Sequence, residues 1–76
     1  MRKKMKYMVF AFRTTADAIA MEKICNTHHI AGRLIPTPRE ISAGCGLAWR
    51  MTDADYEKWK EQLAKMKYDS VTALML

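Results

Sequence analysis

Cys45 stands between Gly44 and Gly46, with Ser42 three residues before it and Arg33 and Arg39 upstream. Glycine flanks let the backbone adopt positive φ and turn successive N–H groups toward one point, a nest that stabilises a neighbouring thiolate or other anion. Guanidinium groups close by act in the same direction, and a loop position leaves the sulfur reachable by a partner's active site. The chemistry that suits such a residue is exchange at sulfur. It requires a reachable thiolate and a good leaving group, and needs neither a general base nor an oxyanion hole. The same residues also read as a tight turn in which Cys45 is merely a small side chain, and Gly-Cys-Gly alone does not separate the two.

Other reactive side chains are few. Cys25 and His28 are spaced i, i+3, and with Cys45 they would offer three zinc ligands, whereas closed structural zinc sites usually use four and no fourth is evident. His28 shares a helical stripe with Cys25, so it is expected to pack beneath the sheet, and His29 reads as a helix-end residue. No Asp or Glu is placed to orient either histidine as the base of a hydrolytic triad. There is no Gly-rich phosphate loop. Neither a cofactor nor a metal is expected.

Around these residues lies a chain of 76 residues, 50% hydrophobic and 28% charged, which suits one small domain over residues 1–76. A chain of this size buries only about 60% of the surface its unfolded form exposes, so a self-partner would help it. A large multi-step enzyme is excluded. Thirteen Lys and Arg against eight Asp and Glu give a net charge of +5. That excess is scattered apart from Arg2, Lys3, Lys4 and Lys6, and it favours an acidic or phosphorylated partner only weakly. The apolar run after these residues is too short for a signal sequence and meets Arg13 at once, so a cytoplasmic protein is expected. No segment approaches the roughly 20 apolar residues that span a bilayer. Two cysteines without CxxC spacing are expected to be reduced thiols.

The elements that position Cys45 follow from periodicity. Lys6 to Phe12 is apolar, aromatic and β-branched without Gly or Pro, and predicts a strand. Thr14 and Asp17 form a helix-start signal, after which Ala18, Met21, Cys25 and His28 mark one helical face that ends near His28 and His29. Arg33 to Ile35 predicts a short strand, and Pro36 and Pro38 require it to end or to lie at a sheet edge. These prolines also stiffen the entry to a loop over Thr37 to Gly46, in which Ser42 is placed to cap or hydrogen-bond the turn. Leu47, Trp49 and Met51 alternate as a third strand. Thr52 and Asp55 repeat the capping spacing, and Tyr56, Trp59, Leu63 and Met66 the helical stripe, with Glu57, Lys58, Lys60, Glu61 and Lys65 outward. Tyr68 to Leu76 predicts a fourth strand.

The order β-α-β-β-α-β predicts an α+β fold, a ferredoxin-like sandwich with four antiparallel strands and both helices on one face. The first strand offers Tyr7, Val9 and Ala11 to one side and Met8, Phe10 and Phe12 to the other, so both faces of the sheet are apolar. A homodimer through the sheet would cover the face without helices. Trp49 and Trp59 read as core or dimer surface, and the seven Met as adaptable filler. Such a sheet can also serve as an RNA platform, but Gly46-Leu-Ala-Trp-Arg-Met lacks the aromatic pattern that stacks bases, which argues against nucleic acid.

The run Arg33-Leu-Ile-Pro-Thr-Pro-Arg-Glu-Ile-Ser-Ala-Gly-Cys-Gly-Leu-Ala-Trp-Arg resembles the signature of a family of small bacterial selenium/sulfur carrier-like proteins. The resemblance extends from Tyr7 through Thr14 to Ile30, where Asp17, Ala18, Glu22 and Lys23 also fit, and weakens after Met51. It departs where the family has small residues and Gly near the end of the first helix and this chain has His28 and His29. It implies a soluble protein that accepts sulfur or selenium on Cys45 as a persulfide-type species. Its partners would be a donor such as a cysteine desulfurase and an acceptor enzyme, with the protein itself a carrier more than an independent catalyst. Two alternatives share the residues: a protein- or RNA-binding module on the apolar sheet face, and a thiol redox sensor in which Cys45 forms sulfenic acid or mixed disulfides.

Overall fold

Two helices start where a threonine hydroxyl can satisfy a free backbone donor. Thr14 Oγ1 accepts from the Asp17 N–H at 3.2 Å and opens α1, Thr15–Thr27, and Thr52 Oγ1 accepts from the Asp55 N–H at 3.2 Å and opens α2, Asp53–Leu63. The structure, a computed structural model, describes residues 4–41 and 45–76. The strands are β1 (Lys6–Ala11), β2 (Arg33–Pro36), β3 (Leu47–Thr52) and β4 (Ser70–Met75). They form one antiparallel sheet in the order β2-β3-β1-β4, the ferredoxin-like α+β arrangement that the element order predicts.

Alternation along the strands divides the side chains between two faces. Phe10, Trp49 and Leu34 stand on one register row, with Val71 beyond them on β4, and meet Ala18, Met21 and Cys25 of α1 and Leu63 of α2 in a single core. Helix α1 lies over β3 and β2, and α2 over β1 and β3. Phe10 makes an edge-on contact with Tyr68, ring centroids 4.9 Å apart. Trp49 is 1% exposed and lies against the Gly32 backbone, where an added Cβ would stand 2.6 Å from the indole Cε2 and 2.8 Å from the Arg50 carbonyl oxygen. A side chain at position 32 would displace the largest group in the core.

Helix α1 ends at Thr27, one residue before the last position of its stripe and close to where the sequence places its end. His28 is the C-cap, donating its N–H to the Ile24 carbonyl oxygen at 3.1 Å, and its side chain is exposed rather than packed beneath the sheet. A residue beyond the last helical turn no longer follows the helical phase. His29 has φ 57, the left-handed conformation that turns the chain out of the helix, and its place in the sequence pattern is that of a helix-end glycine.

The second face of the sheet carries Tyr7, Val9 and Ala11 of β1, Ala48 and Arg50 of β3, and Arg33 and Ile35 of β2. Val9, Ala11 and Ala48 are fully buried there without belonging to the helix-side core. The uncovered apolar surface that favoured a homodimer is therefore smaller than the alternation of β1 implies.

Candidate functional site

The β2–β3 hairpin positions Cys45. The Thr37 N–H donates to the Gly46 carbonyl oxygen at 2.9 Å, which extends the ladder one pair past Pro36 and Leu47. Bonded and non-bonded pairs alternate in an antiparallel ladder, so Pro36 falls at a position whose N–H would face outward, where a proline costs the sheet nothing. Thr37, between two prolines, is the only residue of Pro36–Pro38 with an N–H to give, and it places that group on Gly46. Its hydroxyl donates to the Cys45 carbonyl oxygen at 3.1 Å. One residue thus holds the two peptide groups that follow the thiol, Cys45–Gly46 and Gly46–Leu47, and the loop narrows to residues 38–45. Within it the Ile41 N–H closes a turn on the Pro38 carbonyl at 3.0 Å.

Cys45 lies two residues beyond Leu47 on the side of the sheet that carries the helices, half-buried against the edge of the core. The register of Ala11 with Ala48 and with Ser70 puts the hairpin loop at the sheet end where β1 runs into α1. The Cys45 thiol donates to the Leu47 carbonyl oxygen at 3.2 Å. Only the protonated sulfur makes that bond, so the thiolate must leave Leu47 to react. Cys25 is the opposite case. It is 0% exposed beneath the sheet, and burial pushes its pKa up from 9.0 to about 11. Both cysteines are free thiols.

The residues expected around Cys45 are only partly brought together. Gly46 is extended backbone rather than left-handed, because its carbonyl is engaged in the ladder with Thr37, so it does not contribute the positive φ of a nest. Its Cβ position faces open space. Ser42 and Gly44 lie outside the described residues. Arg39 is exposed in the same loop as Cys45. Arg33 is Cα partner to Arg50, five residues along β3 from Cys45, and belongs to the opposite face of the sheet. At about 3.3 Å per residue, that is roughly 16 Å of strand. Among the described residues no three His, Cys, Asp or Glu side chains gather as metal ligands, so Cys25, His28 and Cys45 do not form a zinc site. A cavity of about 290 Å³ is lined by Arg13, Asp17, Lys67, Tyr68 and Asp69, without Cys45. Its charges pair internally, Arg13 with Asp69 at 3.7 Å and Lys67 with Asp17 at 3.9 Å.

Thr37 is the positioning residue that sequence reasoning missed. The signal was available in Pro-Thr-Pro, where a single backbone donor sits between two residues that have none. No helix among the described residues is long and apolar enough to cross a membrane. A family model described as "Putative Se/S carrier protein-like" matches residues 6–71, which includes the whole hairpin. No curated protein and no solved structure matches the chain.

Proposed function

The chain belongs to the Se/S carrier protein-like family, and from that premise we propose that Cys45 carries a sulfur or selenium atom between a donor and an acceptor protein. The observation that carries this reading is the contrast between the two thiols. Cys25 is sealed in the core and Cys45 is half-buried at a loop edge with its backbone held by Thr37. A carrier needs one reachable sulfur in a defined place, and Cys45 meets that requirement.

The exchange is balanced without an oxidant. The Cys45 thiolate, released from Leu47, attacks the outer sulfur of a donor persulfide. A bond forms between Cys45 Sγ and that sulfur, the donor's S–S bond breaks, and the donor cysteine leaves as thiolate. Delivery repeats the step with an acceptor thiolate. A cysteine desulfurase charged with cysteine supplies such a persulfide, and a donor that carries selenium as a perselenide (S–Se⁻) would load the same atom by the same exchange. Arg39, exposed in the loop, and Gly46 at its exit lie on the surface that the donor must meet. Arg33, on the opposite face of the sheet, has no part in the exchange at the sulfur. Carrier function requires only this exchange, so no independent catalytic activity is assigned to the chain.

The test is non-reducing intact-mass measurement of the protein after incubation with a cysteine desulfurase and cysteine, and separately with a selenium donor. The carrier reading expects the added mass of a chalcogen atom, removable by reductant. A folded protein whose Cys45 alkylates readily but takes up neither element contradicts it. Uptake of oxygen alone as sulfenic acid would favour a redox sensor.

A further inference from the structure

The four strands contain no Asp or Glu. On the face of the sheet without helices, Arg33 of β2 and Arg50 of β3 are direct cross-strand partners. Like charges directly opposite one another destabilise a sheet. Among the described ion pairs neither arginine meets a carboxylate. Arg50 leans away from Arg33 across β1, its guanidinium 4.4 Å from the centre of the Tyr7 ring. The two charges are thereby spread from β2 to β1, two strand spacings or about 10 Å apart. They flank a floor made of Val9, Ala11 and Ala48, all fully buried, with Ile35 and Thr72 beside them.

We propose that this face, from Arg33 across Arg50 to Tyr7, docks an acidic surface of a partner protein whose carboxylates meet the two guanidinium groups. Charge complementarity selects the partner: among the described ion pairs two cations stand without a carboxylate, on a sheet with no acid on any strand. A second copy of the chain is a poor fit, because a two-fold interface sets the same patch against itself and gathers four guanidinium groups. RNA is a poor fit as well. Tyr7 is the one aromatic side chain on this face among the described residues, its ring lies under Arg50, and Phe10 and Trp49 face the helices, so the stacked bases of a sheet platform have no support. The surface is independent of the chemistry at Cys45, which belongs to the other face and stays open when this one is covered.

The experiment titrates the full-length, isotope-labelled protein with poly-L-glutamate and, in parallel, with oligouridylate, following backbone amide shifts. Expected with poly-L-glutamate are shifts centred on Arg33, Ile35, Ala48 and Arg50. Affinity should fall about fivefold or more in Arg33→Gln/Arg50→Gln, in line with two exposed ion pairs, and stay within about twofold in the equally charge-depleted Lys23→Gln/Lys65→Gln. The first variant is expected to melt no lower than wild type, since it removes a like-charge pair. Shifts centred on the N-terminal residues or the helices, or equal losses in both variants, overturn the proposal. So does tighter binding of oligouridylate to this face, or a dimer in sedimentation that protects it. Alkylation of Cys45 at an unchanged rate in the presence of poly-L-glutamate is expected, so a failure here leaves the carrier chemistry to its own test.

Discussion

The Thr37 hydroxyl donates to the Cys45 carbonyl oxygen at 3.1 Å while the Thr37 N–H donates to the Gly46 carbonyl oxygen at 2.9 Å. Two bonds from one residue fix the Cys45–Gly46 and Gly46–Leu47 peptide units, on either side of the Gly46 Cα, and the loop before them is anchored at its exit.

Removing the hydroxyl while keeping the shape separates this clamp from packing. Thr37→Val is expected to lower stability by about 1 kcal/mol, the usual net value of such a bond, and to speed alkylation of Cys45 by a small reagent several-fold, because the thiol is held less firmly against Leu47. Thr37→Ser should restore both. Denaturant melts and iodoacetamide kinetics read the two effects; an unchanged alkylation rate in Thr37→Val would show that the clamp does not govern access to the sulfur.

Cys25 gives the protein an alkaline sensitivity. Its thiol has its ordinary pKa of 9.0 when unfolded and is pushed up to about 11 when buried, so the native state holds its proton after the unfolded state has lost it. The unfolded state then binds fewer protons, and stability falls as pH rises from about 9 to about 11, by roughly 3 kcal/mol in total. Below pH 9 the effect is absent. The difference in stability between wild type and Cys25→Ala, measured by denaturant melts across this range, should narrow by that amount; a difference independent of pH would remove the burial of Cys25 from the account.

His29, at φ 57, occupies a backbone conformation that glycine adopts without strain. His29→Gly is expected to raise stability by about 1 kcal/mol, and a β-branched His29→Val to lower it by at least as much. Thermal melts of the two variants moving in the same direction would refute the capping role.

Much of this architecture was legible in the sequence because local and long-range signals agree. Thr14 with Asp17 and Thr52 with Asp55 mark both helix starts, the stripe through Ala18, Met21 and Cys25 is buried as its spacing requires, and the prolines put β2 at an edge. The misreadings lie where proximity in sequence stood in for geometry. His28 continues the stripe of α1 by number, but the helix has ended. Arg33 precedes the cysteine loop closely, yet the register of the hairpin carries it along the strand and to the other face. Gly46 was expected to be left-handed, and its bond to Thr37 makes it the last rung of the ladder. Thr37 was overlooked because a threonine between prolines has no periodicity to mark it. Its role exists only once the strands pair.

The central claim is that one of two thiols carries the cargo. The most direct measurement compares Cys25→Ser and Cys45→Ser by non-reducing intact mass after exposure to a charged cysteine desulfurase, with circular dichroism to establish folding. Cys25→Ser, destabilised by a hydroxyl in the core but folded, should gain the mass of a sulfur atom as wild type does, and Cys45→Ser should gain none. Sulfur uptake by folded Cys45→Ser would contradict the account.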